Sequence, residues 1–250
     1  MRRALAAAVL AAAAASIPGA AAGGAAIALS ATPLRLTLTG SSTAVITVRN
    51  PGRRTLRVDV SRAGFTRALR GRPRVRPARG AVTWLRYDPR RFRLAPGAKA
   101  TLHVVAAPPR RAAPGDHPAL VLLTTRPVGA RRVRLRLRVG VIVDLHVRGR
   151  IVRRLDPRSL TVRRAGARRL LELMVVNRGN VTERLGGDRL RLVLLRRGRT
   201  LATLRPRRRE LLPRSRGIAE FAYRGRVRGS VLARVELRPP GPPRSFRVRL

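Results

Sequence analysis

The sequence predicts an all-β protein built as two tandem β-sandwich domains, and three observations carry that prediction. Apolar residues recur at every second position, Gly and Pro interrupt the pattern at short intervals, and one strand–turn–strand pattern occurs twice. Period two is the spacing of side chains on one face of a strand, and its alternation of apolar with polar residues marks a sheet buried on one side. Many short strands between regular turn signals point to sandwiches.

The first 26 residues stand apart. Met1-Arg2-Arg3 is a basic start, Ala4 to Ile17 is apolar and uncharged, and Pro18-Gly19 with Ala20-Ala21-Ala22 supplies a helix break and small residues suited to a signal peptidase. The run is shorter than the ~20 residues of a spanning helix, so residues 1–26 are expected to be a secretory signal peptide cut between Ala22 and Ala26. The arginine pair lacks the surrounding pattern of a twin-arginine signal, which favours general secretion. No cysteine is present, so neither lipidation at the cut nor disulfides is available. The mature chain is expected to be exported and held together by burial alone, with no transmembrane segment.

Strand signals then follow in order. Leu34, Leu36 and Leu38 alternate; so do Ala44, Ile46 and Val48; Leu56, Val58 and Val60; Leu102 and Val104; and Val231, Ala233, Val235 and Leu237. Turns fall at Gly40, Pro51-Gly52, Pro96-Gly97, Pro114-Gly115, Gly198 and Gly225. Ala119 to Leu123 and Val139 to Val143 are longer apolar runs of strand size. Leu34 to Leu38 leads through Gly40 to a strand ending Asn50-Pro51-Gly52, and Leu160 to Val162 leads through Gly166 to a strand ending Asn177-Arg178-Gly179. This repeat implies domain 1 over residues 27–148 and domain 2 over 149–250.

A strand closing on Asn50-Pro51-Gly52, then Trp84-Leu85, Phe92 to Gly97 and Ala113-Pro114-Gly115-Asp116-His117 before an apolar strand, resembles the immunoglobulin-like domains of bacterial surface proteins. The pattern over Pro33 to Leu145 is similar to the N-terminal domain of WxL-interacting proteins and, more remotely, to pilus-assembly chaperones. The first resemblance implies peptidoglycan binding by domain 1. The second implies a basic pair that holds a client's terminal carboxylate, and among so many arginines no pair can be singled out.

The charge is the other conspicuous feature. There are 57 basic and 11 acidic residues, a formal net charge of +46. Lys99 is the only lysine, and Arg, Ala, Gly, Pro, Leu and Val are abundant together, as a genome rich in G and C would produce. Arg134, Arg136 and Arg138 occupy alternate positions, so they share a strand face at a spacing of about 6.6 Å. They are the candidate polyanion-binding row, because guanidinium groups bind phosphates bidentately. Leu135, Leu137 and Val139 are expected to be buried on the opposite face.

Catalytic chemistry is not expected. His103, His117 and His146 have no metal-ligand spacing and no adjacent nucleophile, and no phosphate-cradling or nucleophile-elbow motif occurs. Asp116-His117 is the one pair in which a carboxylate would orient an imidazole, although Pro-Gly-Asp-His-Pro reads first as a turn. Asn50 and Asn177 read as turn residues that cap their own backbone. Trp84, with Tyr87 nearby, reads as core, and as a sugar-stacking platform in the alternative.

The functional expectation is therefore an exported, non-enzymatic envelope protein without metal or cofactor. Its expected partners are cell-wall polymers, peptidoglycan or anionic, or other envelope proteins. Nucleic acid is not expected, since only seven aromatics are available for stacking and no recognised module is present. The alternative is a pilus-chaperone-like assembly factor that offers a sheet edge to a partner's strand, which requires an unpaired edge beside a cleft between the domains.

Overall fold

The computed structural model describes residues 27–127, 135–166, 168–238 and 244–250; the leader and Arg134 lie outside the described residues. Along the first half run β1 (Ser30–Thr32), β2 (Arg35–Thr39), β3 (Ser42–Arg49), β4 (Leu56–Arg67) and β5 (Pro73–Arg76). A 3-10 turn (Gly80–Trp84) follows, then β6 (Leu85–Asp88), β7 (Arg91–Leu94), β8 (Lys99–Ala106), β9 (Gly115–Thr125) and β10 (Arg138–Val147). They form two sheets, β1-β3-β8-β6 and β2-β10-β9-β4-β5, with β7 paired to β4.

The second half contains β11 (Leu155–Ala165), β12 (Arg168–Asn177), β13 (Glu183–Leu185), β14 (Leu190–Arg196), β15 (Arg199–Leu204), β16 (Arg209–Leu211), β17 (Arg216–Tyr223), β18 (Ser230–Leu237) and β19 (Arg244–Arg249). Sheet β11-β12-β17 faces sheet β15-β14-β18-β19, and β13 pairs β16 at the margin. The architecture is all-β, two immunoglobulin-like sandwiches in tandem.

Each sandwich has its own core, built by the period-two alternation. In β4, Leu56, Val58 and Val60 are buried between exposed or partly exposed Arg57, Asp59 and Ser61. The first core joins Ile46, Val48, Leu56, Leu85, Leu102, Val121 and Val143; the second joins Leu171, Leu173, Val175, Leu192, Phe221 and Ala233. Leu34 departs from the predicted alternation. It is 58% exposed because the chain crosses from one sheet to the other between β1 and β2, leaving Leu34 outside both strands.

The sequence repeat is a structural repeat. Gly40 and Gly166 turn β2 into β3 and β11 into β12 with φ of 60° and 59°, a region costly for a residue with a Cβ. Asn50 and Asn177 then make matching bonds from fully buried positions. Asn50 Nδ2 donates to the carbonyls of Arg54, Leu94 and Ala95 while its Oδ1 accepts the N–H of Gly52. Asn177 Nδ2 donates to Val181, Leu211 and Leu212, and its Oδ1 accepts from Gly179. Both cap their own turn, as read from the sequence, and also staple that turn to a distant strand.

Ala119 to Leu123 is apolar without alternation because β9 is covered on both faces. Ala119, Val121 and Leu123 enter the first core, while Leu120 and Leu122 pack outside with Ala63, Phe65 and Leu212 of the second sandwich. This small shared cluster lies in the junction between the halves.

Candidate functional site

A cleft of about 630 Å³ opens beside that junction. Strand β2 buries Leu36 and Leu38, so the alternation turns Arg35, Thr37 and Thr39 into the cleft; Asp144 and His146 of β10 continue this wall. Thr182, Glu183 and Glu210 stand opposite, on and beside the β13–β16 pair.

Arg35 is the hub. Its Nε donates to Asp144 Oδ2 at 2.6 Å, and its Nη1 and Nη2 grip both oxygens of Glu210 at 2.6 and 2.7 Å. Arg67 adds a bond to Glu210 Oε2 at 3.1 Å. Hydrogen bonding from Arg35 holds the Glu210 carboxyl below its ordinary range, and the same bond raises the Arg35 guanidinium. Asp144 moves the other way: burial pushes its carboxyl up against the opposing pull of Arg35. One Asp144 oxygen, Oδ1, is buried without a hydrogen-bond partner, as are Thr182 Oγ1 and Glu183 Oε1 in the same cleft.

Asp116 ties the cleft floor. Its Oδ1 lies 2.7 Å from His146 Nδ1, and its Oδ2 accepts the backbone N–H of Thr182 at 2.7 Å. The Asp116-His117 pair read from the sequence does not form. Adjacent residues on a strand point to opposite faces, so His117 turns away, where Nε2 meets the Ala113 carbonyl and the ring lies edge-on to Trp84 at 5.0 Å. Cross-strand pairing instead sets His146 directly opposite Asp116. His146 is half-buried there.

The turn after β4 completes the junction. Arg70 reaches Glu172 with both terminal nitrogens at 2.9 Å and Glu220 at 2.9 Å, and Leu69 accepts the Ile218 N–H at 2.8 Å. Of the 11 acidic residues, Asp116, Asp144, Glu172, Glu210 and Glu220 all line this seam.

The edge of the first sandwich is incomplete beside the cleft. Strand β2 pairs β10 in parallel only from Ile142 to His146, so among the described residues Arg138 to Val141 have a ladder partner only in β9. Ile142 donates its N–H to Leu34, and the alternation therefore sends the N–H groups of Arg138 and Gly140 toward the same open side. Leu135, expected to be buried, is 50% exposed, and Leu137 and Val139 are only partly buried. Among the described residues, β10 thus has an unpaired, partly apolar edge ahead of the segment, Asp144 to His146, that lines the cleft.

The other candidate residues are placed as follows. Arg136 and Arg138 are exposed, and Arg134 lies outside the described residues. Trp84 and Tyr87 are half-buried and pack on the first core. His103 is exposed on β8. Among the described residues no group of His, Asp or Glu is arranged to hold a metal ion, and no helix is long and apolar enough to cross a membrane. Sequence reasoning missed Arg35 and Glu210; the available signal was the rarity of acids, most of which pair with arginine.

No protein-family model and no curated protein sequence matches the chain. Solved structures do. The class 5 fimbriae chaperone CfaA is 10% identical with a TM-score of 0.51, covering 89% of this chain and 98% of that one. The chaperone–tip adhesin complex of CFA/I fimbriae biogenesis is similar at 10% identity and a TM-score of 0.50, covering 89% and 98%. The CsuC–CsuE chaperone and tip adhesion subunit pre-assembly complex of archaic chaperone-usher Csu pili from Acinetobacter baumannii is 12% identical with a TM-score of 0.47, covering 88% and 97%. At these identities the likeness is one of fold, and it extends over both sandwiches.

Proposed function

We propose that this chain is an exported, non-enzymatic assembly chaperone of the cell envelope that adds the open edge of β10 to a strand of a client protein. The observation that carries the reading is the stretch Arg138 to Val141, which among the described residues has no ladder partner on its β2 side, preceded by exposed Leu135. Main-chain groups on such an edge supply affinity, and the apolar row Leu135, Leu137 and Val139 supplies complementarity to an alternating strand. The two-sandwich likeness to fimbrial chaperones supports it, since those structures include a chaperone held with a tip adhesin. The division at residues 148 and 149 and a leader over 1–26 belong to the same proposal.

The basic row now serves a different purpose in this reading. Arg136 and Arg138 flank the open edge and would favour an acidic client surface. Binding of cell-wall polymers has no support beyond their exposure, and the likeness to WxL-interacting proteins has none. Trp84 and Tyr87 are assigned to the core of domain 1.

Co-production with a fimbrial subunit in a bacterial envelope tests the proposal. The expected result is recovery of soluble subunit in complex with the chain. Arg138→Pro should abolish it, because that N–H faces the open edge and Pro there removes no internal ladder bond. Equal recovery with Arg138→Pro, or no complex at all, would sink the reading.

A further inference from the structure

A second groove, of about 660 Å³, lies on the other side of Glu210, between the end of β4 and the β13–β16 pair. Arg67, Arg184, Arg208 and Arg209 line it, and the carboxylate among them is Glu210. That carboxylate is already committed, since both of its oxygens are taken by Arg35 from the neighbouring cleft. Arg70, also at the groove, is matched by Glu172 and Glu220 on its far side. The four remaining guanidinium groups therefore share less than one unit of negative charge.

Three observations show that this crowding is unrelieved. Arg67 Nε is buried without a hydrogen-bond acceptor, an arrangement that costs free energy unless something supplies one. Arg209 spends its Nη donors on the carbonyls of Leu69, Arg70 and Ile218. The pKa of its guanidinium is lowered by burial, against the pull of Glu220 and with the positive charges of Arg70 and Arg67 adding to the shift. Arg184 and Arg208 are exposed, Arg184 lying 3.9 Å from Glu210 and the Arg208 stem packing on Gly186 at the mouth.

We propose that this groove binds a phosphate or other tetrahedral oxyanion, with Arg67 as the fixed donor and Arg184 and Arg208 closing on it from the second sandwich. Planar forked donors suit such an anion, and a bound phosphate would offset the excess charge. Because Arg67 comes from one sandwich and Arg184 and Arg208 from the other, the anion would also clamp the junction. This site is separate from the β10 edge and does not depend on the assembly reading.

The test is a thermal-shift and calorimetric titration of the mature chain with inorganic phosphate, against chloride at matched ionic strength. The expected result is a rise in Tm specific to phosphate and a single binding event. Replacing both Arg184→Gln and Arg208→Gln should weaken the binding at least about tenfold, the loss expected for charge-assisted bonds. Their exposure leaves the fold intact, and the double variant Arg110→Gln with Arg111→Gln, at two exposed positions outside the groove lining, serves as the charge-matched control. A soluble glycerol-phosphate polymer distinguishes the source: tighter binding than free phosphate identifies a polymer ligand, and equal or weaker binding a small one. The proposal is overturned if phosphate and chloride act alike, or if the Arg110→Gln, Arg111→Gln double variant weakens binding as much as the groove double variant does.

Discussion

Asp116 of the first sandwich accepts the backbone N–H of Thr182 in the second, oxygen to nitrogen at 2.7 Å. A half-buried carboxylate thereby satisfies a main-chain donor that has lost its water. Asp116→Ala should lower stability by about 2 kcal/mol, the cost of an orphaned amide plus a lost charge-assisted bond. Urea denaturation checks it, and Asp116→Asn should recover part of the loss by keeping one acceptor.

Arg35 and Glu210 set the acid sensitivity of the junction. The carboxyls of Glu172 and Glu210 lie below their ordinary 4.5, each chiefly through a hydrogen bond to arginine. Their contribution is therefore present above 4.5 and is lost as pH falls through the folded-state values. Asp144, raised from 3.8 by burial, runs oppositely, and acid relieves its cost. The denaturation midpoint should fall as pH drops below about 4.5, and Glu210→Gln should flatten part of that slope. An unchanged slope would refute the assignment.

Asn50 and Asn177 should be equally intolerant of change. Each satisfies three carbonyls and one N–H from a fully buried position, so Asn→Ala at either site should cost about 3 kcal/mol. Differential scanning calorimetry of the two variants should give losses within about 1 kcal/mol of each other.

Gly115 meets the second sandwich so closely that a methyl group would overlap the Asn180 carbonyl oxygen, and its φ of 118° already disfavours any side chain. Gly115→Ala should cost at least about 2 kcal/mol and loosen the seam. Amide exchange at Asp116 and Thr182, whose N–H groups cross that seam, should accelerate in the variant.

Leu135 gives the contrasting case. With half its surface already wet, Leu135→Ser should change stability by less than about 0.5 kcal/mol. Client recovery in the co-production assay should nonetheless drop severalfold. A large loss of stability would mean that Leu135 belongs to the fold rather than to the edge.

The strands were legible because alternation is a local property: Leu56, Val58 and Val60 declare their face without knowledge of what covers it. The repeat was legible for the same reason, since Gly40 to Asn50 and Gly166 to Asn177 are short intervals. The cleft was not. Arg35 and Glu210 are 175 positions apart, and Arg35 is one basic residue among 57, so no local signal separates it from its neighbours. Leu135 misled because alternation reports which face a side chain takes and is silent on whether a neighbouring strand exists to cover it. The Asp116 pairing failed on a related point, as strand neighbours in sequence are opposed in space.

Leu212 leaves its own core to sit under Phe65, Leu120 and Leu122 of the first sandwich. Shared apolar burial joined to the Arg35–Glu210 and Arg70–Glu172 pairs makes each half a structural ligand of the other. The unit of cooperativity is then the pair rather than the domain: the two sandwiches should melt in one transition, and Leu212→Ala should split it into two. Linked in this way, the cleft keeps its shape, so under the proposed reading a strand docking at β10 would meet a rigid frame instead of ordering a hinge.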